Sequence, residues 1–356
     1  MHRSGRLVLI MNRKRLLIST ALIALAATVL LIVPDKPNAV YHTNQGHVFG
    51  TYYAVQYEST GDLHDSIKAA FASFDASMSM FNPQSTLSRI NAGLDSVADA
   101  YFVQMYRTAE DVHRLSGGAF DITVAPLVNL WGFGLKNRAH VEAEQVESLL
   151  PHVGMEQLSL EPINDGSARF VLRKSDPAVQ VDAGAIAKGQ SCDIIADLLC
   201  RNGCKNYLVD IGGEVVAKGC NAKGNAWRIG ITRPIDDASG AKNEVQEVLE
   251  TKGIALATSG NYRNFYYDGE QKRSHTIDPR TGYPVQHSLL SATVRSSSCM
   301  RADALATACM VLGEQAALEM IEADTVSACY LIVAERDGEA DSTVMKTVCS
   351  SRWRDD

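Results

Sequence analysis

The first constraints on this 356-residue chain come from what it does not contain. There is no cysteine before Cys192, no C-x-x-C pair anywhere, and no histidine at zinc-finger spacing. A structural zinc site is therefore not expected. Neither a G-x-x-x-x-G-K-[ST] loop nor a convincing G-x-G-x-x-G is present, so both common nucleotide fingerprints are missing. Positive charge is not in excess: 34 Lys and Arg stand against 41 Asp and Glu, a formal charge of -7. No basic face is implied, and nucleic acid is not expected as a partner. No short-period repeat is visible.

What is present begins at the N-terminus. Residues 16–33 form a charge-free run just long enough to span a bilayer core. Arg3, Arg6, Arg13, Lys14 and Arg15 precede it, so the positive-inside rule puts the bulk of the chain across the membrane. No clean A-x-A cleavage site follows, although 37–39 offers a candidate end. Residues 1–33 are thus read as an uncleaved anchor, with a cleaved signal peptide as the alternative. Both the basic cluster and the apolar run survive if Met11 is the true start. Residues 34–45, polar and proline-bearing, read as a tether. The eight cysteines all lie between Cys192 and Cys349; in an exported chain such thiols can pair, and which of them do is not legible in the sequence.

Apolar spacing predicts helices over 63–81, broken at Asn82-Pro83, over 102–115, stopped by Gly117-Gly118, and over 141–150 before Pro151. A further helix follows Gly184, burying Ile194, Ile195, Leu198 and Leu199. Strand-like runs occur at 48–58, 169–173, 179–181, 207–211, 227–232, 253–258, 291–294 and 328–333. The mixed order predicts an α+β fold. A hinge near 160–180 is conceivable, but no linker composition marks one.

Four stretches carry ionisable residues and glycines that an ordinary core would not need. In residues 301–313 an Ala- and Leu-rich helix carries Asp303 and Thr307 one turn apart on one face, ended by Gly313. Together they offer two oxygens to a hard cation such as Mg²⁺, or else a helix cap and a back-bonded hydroxyl. Residues 116–134 combine paired glycines with Phe120, Asp121, Trp131 and Phe133, flat rings suited to another ring or to packing over a helix end. Asp182, Gly184 and Lys188 sit at a strand-to-helix junction and resemble a phosphate cradle. In residues 274–284 an Asp-Pro and a Thr-Gly fix a turn beside His275, a candidate general base.

The wording and order of these motifs resemble the ApbE-type FAD:protein FMN transferases over residues 46–335. The resemblance rests on Phe49-Gly50-Thr51, Ser77-Met78-Ser79, Ser88-Arg89-Ile90-Asn91, 117–123, 182–189, 210–214, Ser259-Gly260-Asn261-Tyr262, 275–282 and 302–307. It implies a mixed-sheet, T-fold-like catalytic domain over residues 46–350, an FAD pocket, and Mg²⁺ on the pyrophosphate. Asp303, Thr307 and the carbonyl of Ala185 would be the metal oxygens. Phe81, Ala119, Phe120, Asp121, Asp182, Lys188 and Ile277 would hold the dinucleotide, with Phe49 where the family often has Met. His275 would be the base and Lys188 an electrostatic helper.

The implied reaction moves FMN from FAD to a Thr or Ser hydroxyl of an acceptor protein, releasing AMP. Implied acceptors are envelope-facing subunits of electron-transfer complexes, which puts the catalytic domain on the periplasmic side of a bacterial inner membrane. Two alternatives remain: an Mg²⁺-dependent FAD pyrophosphatase giving FMN and AMP, and a non-catalytic FAD-binding envelope protein.

Overall fold

An eight-stranded sheet organises the computed structural model, which describes residues 39–134, 140–234, 244–261, 265–268, 271–337 and 342–354. Its strands follow one another across the sheet in chain order: Val40–Val48, Thr51–Ser59, Tyr207–Ile211, Glu214–Lys218, Gly253–Gly260, Leu289–Ser296, Ala328–Asp337 and Ser342–Cys349. From Thr51–Ser59 onward every neighbouring pair is antiparallel. Antiparallel neighbours need only short connections, yet 147 residues separate Ser59 from Tyr207 in numbering. That long insertion supplies helices and loops at one side of the site. The isolated bridge Val124–Gln180 is parallel, but the six sheet pairs from Thr51–Ser59 onward are all antiparallel, so strand directions mix less than the sequence led one to expect.

The Cys299–Leu312 helix lies at the centre. It packs on strands Gly253–Gly260 and Leu289–Ser296 and on helices Ala187–Arg201, Ala100–Leu115 and Glu314–Ala323. Eleven of its residues are buried, which explains why its sequence has no polar face: a helix covered all round has no need of one. Small Ala side chains permit the close packing. Ser298 caps its start, the hydroxyl accepting from Arg301 N at 3.1 Å. Asp193, from the neighbouring helix, accepts the Cys299 and Met300 N–H groups, both at 2.9 Å. Gly313, at φ 78°, ends it as the sequence predicts.

The helices expected at 63–81, 102–115 and 141–150 are present as His64–Met78, Ala100–Leu115 and Ala143–Leu149. The first stops early because Ser79 turns extended and its hydroxyl accepts the Asn82 N–H. One expectation is corrected. Part of the supposed tether is strand: Val40–Val48 lies at the sheet edge, where a water-facing side needs no apolar residue, so its polar sequence concealed it. Tyr41–Asp356 forms one compact unit. All eight cysteines are free, several buried as small apolar groups. The anchor expected over 1–33 lies outside the described residues, among which no helix is long and apolar enough to cross a membrane.

Burial pushes the Asp193 carboxyl up to about 6, against the two backbone N–H groups that favour its charge. A carboxyl with a raised folded pKa adds stability that is full below about 4 and lost as pH rises through 6. Asp193→Asn should remove that slope between pH 4 and 6 in urea-denaturation midpoints. Asp193→Ala should cost about 0.5–2 kcal/mol at pH 7, the usual loss for a missing cap.

Candidate active site

A cavity of about 1010 Å³ opens where the sheet's central strands meet the long insertion. One wall is the tight turn between Tyr207–Ile211 and Glu214–Lys218. Gly212 and Gly213 take φ of 67° and 104°, a conformation that side chains resist. Gly213 N–H is held by Asp210 Oδ1 at 3.0 Å, and the turn brings Glu214 into the cavity lining. A second wall is the junction at 180–188. Asn91 clamps it in both directions, donating to Val181 O at 2.8 Å and accepting Val181 N–H at 2.7 Å. Asp182 then accepts Gly184 N–H at 2.7 Å, which leaves the junction backbone facing the cavity. Burial raises the Asp182 and Asp210 carboxyls above their ordinary values.

The floor is ionic. Asp303 is 3% exposed; its Oδ2 accepts Gly189 N–H at 3.0 Å and its Oδ1 lies 3.9 Å from Lys188 Nζ. Lys188 is simultaneously ion-paired with Glu214. Burial pushes Glu214 up to about 7, the Asp303 charge adds to this, and Lys188 opposes it. Burial works against the Lys188 charge, but the two carboxylates outweigh it and raise its pKa above the ordinary value. Thr307, one turn beyond Asp303, shares a 3.3 Å hydroxyl contact with Ser259.

Facing that floor is the loop carrying His275. Ile277 bridges to Pro284, Gly282 N–H bonds Asp278 O at 2.8 Å, and Asp278 takes Arg280 Nη2 at 2.8 Å. Trp131 Nε1–H donates to Gly282 O at 2.8 Å and so ties this loop to the 129–134 segment. Phe133 meets the His275 ring edge-to-face at 6.3 Å between centroids. The turn read from Asp-Pro and Thr-Gly therefore has the geometry it predicts.

The structure gathers most of the residues singled out from the sequence. Phe81, Phe120, Asp121, Asp182, Ala185, Lys188, His275, Ile277, Asp303 and Thr307 all line the cavity. Phe49 and Ala119 do not. Phe49 stands edge-on to Phe71 and Phe74 at 5.7 and 5.5 Å, packed against the core while half-buried itself, and Ala119 is 1% exposed beneath its loop. Asp121 lines the cavity while holding its own loop together. It accepts Thr123 N–H at 2.7 Å and Met155 N–H at 3.0 Å, with His113 Nδ1 at 3.4 Å. Glu214 and Asn91 were quoted only inside longer motifs; their signal was a carboxylate after Gly-Gly and an Asn at the close of an amphipathic turn.

A divalent cation fits the donor chemistry at the floor. Carboxylate, hydroxyl and backbone carbonyl at Asp303, Thr307 and Ala185 make an all-oxygen set. Among the described residues no three His, Cys, Asp or Glu side chains cluster as a metal cage. An ion here would fill its shell with water or ligand oxygens, the habit of Mg²⁺ rather than zinc.

Comparison with known proteins agrees in extent and kind. The profile of the ApbE family matches residues 49–331. The FAD:protein FMN transferase of Vibrio cholerae is 38% identical, covering 89% of this chain and 94% of that one. That of Haemophilus influenzae is 35% identical over 90% and 94%. Among solved structures, the flavin transferase ApbE from Vibrio cholerae superposes with a TM-score of 0.75 at 35% identity, covering 88% of this chain and 98% of that one. The apo flavinyl transferase ApbE of Pseudomonas stutzeri gives 0.74 at 31%, over 88% and 95%.

A Cβ on Gly189 would lie 2.3 Å from Cys299 O and 2.8 Å from Asp303 Cβ. Gly189→Ala should therefore force the two helices apart and cost about 1–3 kcal/mol, seen as a lower melting midpoint. Gly61→Ala, where an added methyl meets nothing within 4 Å, is the near-neutral control.

Proposed function

The chain belongs to the ApbE family, and from this premise we propose that it transfers FMN from FAD to a Ser or Thr hydroxyl of an acceptor protein, releasing AMP. The observation that carries the reading is one cavity lined both by His275 and by the oxygens of Asp303 and Thr307. Its volume of about 1010 Å³ lies at the upper end of small-molecule pockets, a size suited to a dinucleotide.

In the reaction the acceptor hydroxyl oxygen bonds to the FMN-side phosphorus, the pyrophosphate bond breaks, and AMP leaves with its phosphate. His275 takes the hydroxyl proton, a role typically worth about 10²–10⁴ in rate. The locked turn after it fixes the ring, and Phe133 limits its tilt. At the 182–189 junction the Gly184 and Gly189 N–H groups are held by Asp182 and Asp303, which leaves the Lys188 ammonium as the junction's charge toward phosphate oxygens. Asp303 and Thr307, with the Ala185 carbonyl, would hold Mg²⁺. When bound, that ion supplies charge neutralisation at the pyrophosphate. Phe120 and Ile277 offer apolar surface to a ring, and the exposed Phe81 stands at the cavity's edge where it can cover one.

The acceptors, on this reading, are envelope-facing subunits of electron-transfer complexes, and the catalytic domain works on the periplasmic side of the inner membrane. The charge-free run at 16–33 behind a basic cluster supports that placement.

His275→Ala should keep FAD affinity within about threefold while lowering transfer by at least about 10². Flavin fluorescence on an acceptor band after incubation with FAD and Mg²⁺ measures it. Undiminished labelling removes His275 from the mechanism. FMN and AMP released at the transfer rate without acceptor would make the enzyme a hydrolase. Adding EDTA, or Asp303→Asn, should abolish labelling.

A further inference from the structure

Glu214 has no part in the mechanism above, yet it lines the cavity at 2% exposure. One of its carboxylate oxygens takes the Lys188 ammonium; the other, Oε2, is buried with no hydrogen-bond partner among the described residues. The same ammonium lies 3.9 Å from Asp303 Oδ1. One positive charge thus stands between two carboxylates, and only Asp303 has Thr307 beside it to complete a cation site.

A divalent ion arriving at Asp303 meets that ammonium at close range, where two positive charges repel strongly in a partly buried setting. The repulsion is relieved if the ammonium has another carboxylate to stay with. We propose that Glu214 is a positioning residue that retains Lys188 on its own side when a divalent cation binds at Asp303. It keeps the three groups net negative, so that the cation is attracted rather than expelled. Glu214 acts through the lysine and is not itself a ligand of the ion. This inference rests on the cation site at Asp303 proposed above.

The test is Mn²⁺ binding to the intact protein at pH 8, followed by the loss of the free-ion electron paramagnetic resonance signal. Glu214→Gln should weaken binding about tenfold, Lys188→Met should tighten it about tenfold, and the double variant should return to within about threefold of the parent, as coupled charges do. A parent-like affinity in Glu214→Gln overturns the proposal. So does a double variant as weak as Glu214→Gln alone, because the role would then not pass through the ammonium. If circular dichroism shows that Glu214→Gln does not fold, Lys188→Met decides: unchanged affinity overturns the proposal and tighter binding supports it. Asp303→Asn separates the two readings. If it binds Mn²⁺ as the parent does, the cation site itself is wrong; if it loses the ion while Glu214→Gln keeps it, only the role of Glu214 falls.

Discussion

The backbone N–H of Gly189 donates to the carboxylate of Asp303, and the cavity depends on how closely two helices must approach for that bond to form. Only a residue without a Cβ lets Ala187–Arg201 lie against the carbonyl of Cys299 at this point. The bond orients a nearly buried carboxylate whose natural tendency would be to reach for water. Its second oxygen is then left towards Lys188. Asp193 reinforces the contact by holding the first N–H groups of the partner helix. A single crossing thus sets helix spacing, carboxylate direction and the place of the ammonium together.

The sheet supplies the rest by rigid presentation. Glu214 follows the tight Gly212-Gly213 turn and Ser259 lies in the paired end of the Gly253–Gly260 strand, so both come from backbone fixed by antiparallel ladders. The long insertion contributes the other side, and its loops are tied down by one to a few directional bonds each: Asn91 to Val181, Trp131 to Gly282, Asp121 to Thr123 and Met155. Loops held by few bonds on a rigid scaffold are the usual place for binding chemistry.

Much of this was legible in the chain. The helix with Asp303 and Thr307 announced itself through Ala-rich composition and a terminal Gly, local signals that hold whatever the tertiary context. The His275 turn was legible because Asp-Pro and Thr-Gly dictate their own backbone. Phe49 shows where local sequence stops deciding: an aromatic beside Gly-Thr has the same sequence appearance whether its ring meets a ligand or packs on Phe71 and Phe74. The strand at Val40–Val48 was invisible because an edge strand facing water lacks the alternation that reveals one. Glu214 was hidden differently. Its partner Lys188 is 26 residues earlier, so nothing local marks the pair.

The cost of the floor is itself informative. Burying an ion pair seldom stabilises a fold over well-packed apolar residues, because lost hydration offsets the attraction. Here three charges share the space, one carboxylate oxygen has no partner among the described residues, and burial lifts Glu214 to about 7. A chain selected for stability alone would place Leu or Met there, as it does at Leu305 and Met310 in the same helix. The neighbouring cysteines make the contrast plain. Cys192 and Cys299 are fully buried and bond the backbone carbonyls of Glu214 and Leu256, polar groups satisfied at little cost. The ionic cluster cannot be explained in that way. On the proposed reading, a cation at Asp303 would supply the compensating charge that this cluster otherwise lacks.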